Sequence, residues 1–329
     1  MIDGISQRLL DQTRPLRIHL LGVAGSGMSG LAALLLEMGH DVSGSDRVSS
    51  GETERLQGIG LKFSSPHSAD SVSGVEAVVY SSAIKPDNVA LVEAGRSGVP
   101  CLRRAECLAA ILDTRKGVVV AGTHGKTTTS AMCTHILNNG GGKVSHYVGA
   151  EIPVLGANAH WEVDSDYFVA EGDESDGTLG LYQPSHAIVL NIEEEHLDYY
   201  KDLEEIVKVF GKLLERTTER IIYCREDPVA GELCRKYREA ISYGWKESDF
   251  TASNVVEGRG VTSFTVFRRG EEMGRVELGI PGRHNVLNAL AAIALADDLE
   301  VDFNHVTRAL SSFAGAKRRF ESVYLSSRF

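Results

Sequence analysis

Residues 118–139 read VVVAGTHGKTTTSAMCTHILNN, an apolar run that passes through two glycines and a lysine into a stretch of helical character. Gly122-Thr123-His124-Gly125-Lys126-Thr127 places two residues between its first glycine and the Gly-Lys-Thr, where the standard P-loop places four. The physics of a phosphate cradle survives the shortening. Small residues let backbone N–H groups approach a polyphosphate, the helix N-terminus adds positive potential, and Lys126 can reach the outer phosphates. Thr127 can offer a hydroxyl oxygen to magnesium. A threonine-capped turn would also join a strand to a helix, but Gly-Lys-Thr-Thr directly after VVVAG favours the phosphate reading. A cation beside bound phosphates needs further oxygen ligands, and the candidates sit at the ends of the next strands: Glu171 in VAEGDESDG and His196 in NIEEEHLDYY. By composition alone EGDESD also suits a solvated loop or helix cap, and a single histidine also suits a packed polar position.

A strand must deliver this loop. Val118–Ala121 supplies it, and the polar TRKG at 114–117 separates it from what precedes, so a domain boundary is expected there. Upstream, RIHLLGV (17–23), a glycine loop and LAALLLEMGH (31–40) read as strand, loop and helix. DVSGSD (41–46) ends in an acidic residue about 20 positions past the first glycines, the spacing of a ribose contact in a nucleotide-binding β-α-β unit. VEAVVYSSAI (75–84) is a further strand. Downstream, strands are expected at 167–172, 186–192 and 220–224 with a helix over 203–216. From about residue 240 the alternating stretches predict an antiparallel section before the helix NVLNALAAIALADDL. The expected fold is therefore α/β: a Rossmann-like domain over 1–115, then a P-loop-type central domain over 116–314 with a mixed, mainly parallel sheet.

The 329 residues are 43% hydrophobic, enough for two cores. A net charge of -11, with no basic run longer than Lys317-Arg318-Arg319, argues against a nucleic-acid surface. No apolar window approaches the roughly 18 residues of a membrane span, and MIDGISQRLLDQTRP lacks a signal-peptide core, so no membrane contact and a cytoplasmic location are expected. The five cysteines are scattered, which suits reduced thiols rather than a disulfide frame or zinc site.

Taken together, GVAGSGMSG, VSGSD, SSAI, RRAE, AGTHGKTTT, AEGDESDG, NIEEEHLDYY, GRHNVLNALAAIA and GAKRRFE follow the order and approximate spacing of the Mur ligases over nearly the whole chain. The resemblance is strongest to the alanine-adding branch. It implies three domains: one for a UDP-sugar, a central ATPase, and a third that helps bind the amino acid. GAKRRFE marks the entry to the third domain, so 315–329 is read as its start and the chain as a fragment or truncated product without the rest. The implied reaction is ATP-dependent: the substrate carboxylate is phosphorylated, the amine of L-alanine attacks the acyl phosphate, and phosphate leaves as an amide forms on UDP-N-acetylmuramate.

Carried over by motif, Gly122, Thr123, Gly125, Lys126, Thr127 and Thr128 hold the ATP phosphates. Thr127 and Glu171 bind a first magnesium ion, and Glu171 with His196 a second. His124 touches the reacting carboxylate. His284, Asn285 and Asn288 lie on the adenine side, and Arg319 reaches the phosphates. In the first domain Gly22, Ala24, Gly25, Ser26, Gly27 and Met28 receive the UDP diphosphate, with Asp46 and the Ser81–Ser82 loop near uridine. The glycine loop by itself does not distinguish UDP from NAD. Two departures stand out. The family loop usually reads G-G-S-G where this chain has Val23-Ala24-Gly25-Ser26-Gly27, so that an alanine stands in the loop, and Phe210, between Lys208 and Lys212, falls where later-acting relatives carry a carbamylated lysine. A ligase adding a tripeptide during muropeptide recycling, and a nucleotide-binding module without ligase activity, are the alternatives; the sequence leaves the oligomeric state unread.

Overall fold

Alternating strands and helices begin at Arg17 in the computed structural model, which describes residues 8–9, 14–150 and 152–315. Strands β1 (Arg17–Leu21), β2 (Asp41–Ser45), β3 (Lys62–Ser64), β4 (Ala77–Tyr80) and β5 (Cys101–Arg103) form an all-parallel sheet ordered β3-β2-β1-β4-β5. Helices α1 (Ser26–Glu37), α2 (Gly51–Gly58), α3 (Val89–Arg96) and α4 (Arg104–Leu112) make the crossovers or follow the last strand. The order reverses beside β1, so the crevice outside the carboxyl ends of β1 and β4 is where such a sheet receives a ligand.

Helix α1 starts at Ser26, earlier than the apolar run at 31–40 suggests, and takes Gly27 and Gly30 into its interior. Glycine is costly there by about 1 kcal/mol relative to alanine, and packing explains its presence. A Cβ on Gly27 would lie 3.0 Å from the Tyr147 hydroxyl, and one on Gly30 would lie 3.1 Å from Asn158 Nδ2. The two glycines therefore let α1 lie against the second half of the chain.

The second sheet has ten strands: β6 (Lys116–Ala121), β7 (Val144–Tyr147), β8 (Ala159–His160), β9 (Tyr167–Glu171), β10 (His186–Val189), β11 (Arg220–Cys224), β12 (Ile241–Gly244), β13 (Phe250–Glu257), β14 (Thr262–Arg268) and β15 (Glu271–Leu278). Their order is β15-β14-β13-β12-β11-β10-β6-β9-β7-β8. β6 is buried from Gly117 to Ala121 and sits between β10 and β9, both parallel to it, as a near-continuous apolar strand requires. The antiparallel section is smaller than the alternation from residue 240 suggests. β12 runs parallel to β11 and β13 parallel to β12; only β13–β14–β15, and β7–β8 at the far edge, are antiparallel. Alternation reports which face is buried and carries no information on the direction of the neighbouring strand.

Helix α5 (Lys126–Asn139) follows the phosphate loop and packs on α8 (Arg283–Asp298) and α9 (Phe303–Ser312) over one face. The other face holds α6 (Leu203–Arg216) and α7 (Pro228–Cys234), with Phe210 fully buried. That second core is continuous with the apolar sides of α1 and α4, so the two sheets share one hydrophobic cluster. Among the described residues no helix is long and apolar enough to cross a membrane. Arg319 and the Lys317-Arg318-Arg319 run lie outside the described residues.

Gly30→Val forces two methyl groups into the contact with Asn158 and Ala159. Overpacking of this kind costs about 1–3 kcal/mol, so the thermal midpoint falls by several degrees in differential scanning calorimetry.

Candidate active site

The loop from β6 to α5 needs glycine at both ends. Gly122 has φ 151°, and a Cβ there would lie 2.9 Å from Leu190 Cβ; Gly125 has φ 88°, and its Cβ would lie 2.8 Å from Asn288 Oδ1. Gly125 also caps α5, with no side chain bonded to the first turn and no acidic residue within it. The opening N–H groups of α5 thus face outward with the positive end of the helix dipole behind them, the arrangement that receives an anion. Asn191, just past β10, pins the loop: its Oδ1 accepts from His124 N (2.7 Å), its Nδ2 donates to His124 O (3.0 Å) and its carbonyl accepts from Thr123 N (3.1 Å). Thr123 in turn accepts on Oγ1 from Glu193 N at 2.9 Å.

Lys126 lies over its own loop. Its Nζ donates to Gly122 O, to Thr123 O (3.2 Å) and to Glu174 Oε1 (2.8 Å). The Glu174 side chain is only 4% exposed, and its Oε2 has no hydrogen-bond partner among the described residues. Burial raises the Glu174 pKa above the ordinary carboxylate value, against the opposing pull of Lys126. Tyr200 fixes the segment by donating its hydroxyl to Glu174 O.

Thr127 and Glu171 meet as expected. Thr127 Oγ1 donates to Glu171 Oε1 and Oε2 at 3.1 and 3.0 Å, and Gly149 N donates to Oε2 at 2.6 Å. A Cβ on Gly149 would fall 2.6 Å from that oxygen, so only glycine fits. His196 shares the cavity with Glu171, but its nearest carboxylates are others: Nε2 is 3.8 Å from Glu174 Oε1 and 3.9 Å from Glu195 Oε2. Among the described residues no three His, Cys, Asp or Glu side chains converge as a closed metal site. A hydroxyl and a carboxylate beside a phosphate cradle are nonetheless a donor set that suits magnesium, which keeps several waters and takes phosphate oxygens as ligands.

The cavity at Lys126 has a volume of about 580 Å³ and is lined from both halves of the chain. Gly25, Ser26, Gly27, Met28 and Ser81 contribute from the first sheet; Thr123, Lys126, Glu171 and His196 contribute from the second. Arg104, Tyr147, Asp173 and Glu174 also line it and were not singled out from the sequence. Arg104 donates to Tyr147 Oη (3.1 Å) and to Asp173 Oδ2 (2.7 Å), and Tyr147 donates to Gly27 O (2.8 Å). Burial works to raise the Asp173 pKa, but hydrogen bonds from Ser175 and the Arg104 charge outweigh it and hold the carboxyl below its ordinary value. The signals were present in RRAE and EGDESD, but contacts across the chain give them their meaning.

A second cavity, of about 510 Å³, opens at the carboxyl ends of the first sheet and is lined by Gly22, Ala24, Gly25, Asp46, His67 and Ser81 among others. Asp46 closes the glycine turn, accepting from Ala24 N at 2.9 Å and Arg47 N at 2.7 Å. Val23 is accommodated by Gly44, where a Cβ would lie 2.9 Å from it. Ser81 and Gly25 line both cavities; Ser82 is exposed and lines neither.

Gly122 and Thr127 themselves line none of the three cavities, and other expected site residues also stand apart from the Lys126 cavity. His124 does not line the Lys126 cavity; it lines a smaller one of about 240 Å³ with His284 and Asn288, because Asn191 holds its backbone on that side of the loop. Asn285 is buried behind that cavity, donating to Pro281 O (2.7 Å) and accepting from Asn288 Nδ2 (3.2 Å), so it positions Asn288. Thr128 lines none of the three cavities. Phe210 belongs to the core, while Lys208 pairs with Glu204 at 2.9 Å and the Lys212 stem packs over Gly180; neither lysine lines the Lys126 cavity.

Comparison with known proteins accords with this architecture. The family profile "Mur ligase family, catalytic domain" matches residues 17–116, and "Mur ligase middle domain" matches 120–296. The UDP-N-acetylmuramate--L-alanine ligase of Desulforamulus reducens is 39% identical over 319 residues, covering 95% of this chain and 69% of the relative. That of Sorangium cellulosum is 41% identical over 311 residues, covering 93% of this chain and 66% of the relative. The chain thus spans about two thirds of the length of these relatives. The crystal structure of a UDP-N-acetylmuramate-alanine ligase from Thermotoga maritima superposes with a TM-score of 0.85 at 30% identity, over 95% of this chain and 72% of that one. A UDP-N-acetylmuramate:L-alanyl-gamma-D-glutamyl-meso-diaminopimelate ligase from Neisseria meningitides gives 0.84 at 27% identity, over 93% of this chain and 100% of that one. A doubly wound sheet, a shortened phosphate loop on a second mixed sheet and a polar cavity between them, matched over nearly the whole chain at these identities, place it in the Mur ligase family.

Proposed function

We propose that the chain carries the sugar-nucleotide and ATP sites of an ATP-dependent carbon–nitrogen ligase that joins L-alanine to UDP-N-acetylmuramate in peptidoglycan synthesis. The observation that carries this reading is the meeting of two cavities at Ser81 and Gly25, one at the ends of a Rossmann-like sheet and one lined by Lys126 and by Glu171, to which Thr127 is bonded. A UDP-sugar laid along the first cavity would bring its far end to the phosphate loop in the second. The relatives at 39–41% identity that bear the alanine-ligase name support that substrate over a tripeptide-adding reaction. A cytoplasmic location fits a reaction on soluble nucleotides.

The chemistry follows from charge. A carboxylate attacks an anionic triphosphate only where cations gather both partners and stabilise the oxygens of the phosphoryl group in flight. The N–H groups opening α5 and the Lys126 ammonium supply this for the outer phosphates. Lys126 gives up its loop carbonyls for phosphate oxygens, while Glu174 keeps the ammonium aimed. Thr127 and Glu171 would hold one magnesium ion, which when bound would supply positive charge against the phosphates; His196 is the residue that would hold a second together with Glu171. Arg104, bound to Tyr147 and Asp173, brings a further positive charge to the wall where the substrate carboxylate must arrive. The carboxylate oxygen attacks the terminal phosphorus, ADP leaves, and the amine of L-alanine then displaces phosphate from the acyl carbon. His284 and Asn288 line the smaller cavity, which would receive the adenine.

Three outcomes test this. Lys126→Ala weakens binding of a non-hydrolysable ATP analogue at least tenfold in calorimetry, since charged hydrogen bonds of this kind are worth about 1.5–3 kcal/mol; unchanged affinity overturns the assignment of the loop. Glu174→Gln leaves Lys126 without its buried counter-charge, so the thermal midpoint drops without nucleotide and the rise on adding magnesium–ATP becomes larger than in the parent chain. A coupled phosphate-release assay with UDP-N-acetylmuramate and ATP gives turnover with L-alanine and little with the tripeptide. Turnover with the tripeptide alone would transfer the chain to the recycling reaction, and binding without turnover would favour the nucleotide-binding module.

A further inference from the structure

A buried relay of side chains runs across the first sheet and ends at the cavity assigned above to the sugar nucleotide. His19, on β1 and 1% exposed, makes a hydrogen bond from each ring nitrogen: Nδ1 to Ser43 Oγ (2.8 Å) and Nε2 to Ser45 Oγ (3.0 Å), both serines on β2. Ser45 Oγ is also 2.8 Å from Nδ1 of His67, which follows β3 and lines the cavity beside Asp46. The Nε2 edge of His67 has no hydrogen bond to any described residue.

The sense of each bond can be followed from the far end. The Ile18 carbonyl can only accept, and Ser43 Oγ donates to it at 3.4 Å. Ser43 then accepts from His19, which places the proton of that ring on Nδ1. His19 is buried among hydroxyls with no carboxylate bonded to it, so it is neutral and its Nε2 is bare; burial takes its pKa down to about 4. The Ser45 hydroxyl donates to that bare nitrogen. Its oxygen is left to accept from His67, which fixes the proton of His67 on Nδ1. The Nε2 of His67 is therefore an acceptor at the cavity wall.

We propose that His67 is a specificity-determining residue of the sugar-nucleotide site: its Nε2, kept unprotonated by the Ser43–His19–Ser45 relay, accepts a hydrogen bond from an N–H or O–H of the nucleoside. This rests on the reading of that cavity as the nucleotide subsite. The position agrees with it. Gly22, Asp46 and His67 line this cavity and no residue of the phosphate loop does, so the nucleoside end of a UDP-sugar is the part that would lie there. Uridine offers one imide N–H on its base and hydroxyls on its ribose, and a bare imidazole nitrogen suits either while opposing a base that presents an acceptor at the same place.

The test has a spectroscopic arm and a binding arm, both on the full chain. Two-bond proton–nitrogen correlation spectra of protein labelled with 15N-histidine, with the His67 signals identified by their loss in His67→Ala, are expected to show the Nδ1–H tautomer; an Nε2–H tautomer overturns the proposal. Calorimetry then compares UDP with its N3-methyl, 2′-deoxy and 3′-deoxy derivatives. If the base donates, N3-methyl-UDP binds about 3–10-fold more weakly than UDP, the worth of one neutral hydrogen bond, and His67→Ala abolishes that difference. If the ribose donates, one of the deoxy derivatives behaves in this way instead. Discrimination that survives unchanged in His67→Ala overturns the role of the residue. Ser45→Ala, which keeps the His67 ring but releases its tautomer, shows a mixed tautomer signal and weaker UDP binding, with affinity for an ATP analogue at the phosphate loop reporting that the chain is folded. Failure of UDP to bind the parent chain at all would instead remove the nucleotide reading of the cavity, and the role of His67 with it.

Discussion

The ion pair of Lys126 and Glu174 is the interaction around which the site is arranged. A carboxylate exposed by only 4% is expensive to hold in a protein interior, and it persists here because an ammonium lies 2.8 Å away and the surrounding backbone is fixed. Tyr200 secures the Glu174 carbonyl, Asn191 secures the loop beneath Lys126, and the two glycines of the loop admit both close approaches. The lysine is thus already oriented before any phosphate arrives. Part of the entropic cost of gathering a triphosphate is met in folding, which is the physical content of preorganisation.

The second constraint is the seam between the sheets. Tyr147 reaches the Gly27 carbonyl, Arg104 bridges Tyr147 and Asp173, and an apolar cluster runs beneath them from one sheet to the other. The glycine turn of the first sheet and the phosphate loop of the second are brought to one cavity by these contacts rather than by either sheet alone. Arg104 at this seam holds the halves together and sets a guanidinium, paired with Asp173, in the wall of the shared cavity.

Much of this was legible in the order of residues. The phosphate loop could be read because its glycines, lysine and threonine each answer a separate requirement of a bound polyphosphate. The helix at 203–216 was equally plain, since its apolar positions repeat with the helical period. What escaped depended on partners distant in sequence. Glu174 lies in a run that composition describes as a solvated loop, and only the fold sets it under Lys126. Gly27 lines the cavity, yet it and Gly30 also lie inside a helix and make room for Tyr147 and Asn158, a packing role that the string of glycines does not announce. The short strands β7 and β8 carry too few residues to announce a period. His124 has the right neighbours in the string, but the string does not show that Asn191 holds its backbone or that its ring lies 3.9 Å from Glu195, which lines the Lys126 cavity.

Helix α1 is fastened to the second sheet at both ends. Near its start Tyr147 and Asn158 hold the carbonyls of Gly27 and Ser26; at its finish the Glu37 carboxylate accepts from Trp161 N at 2.6 Å and pairs with His160 at 3.1 Å. Twelve helical residues extend about 18 Å, so this cylinder acts as a splint lying across the junction. Rocking of one lobe against the other would have to shear both attachments together. The width of the gap between the two sheets is thereby tied to the length of one helix held at both ends.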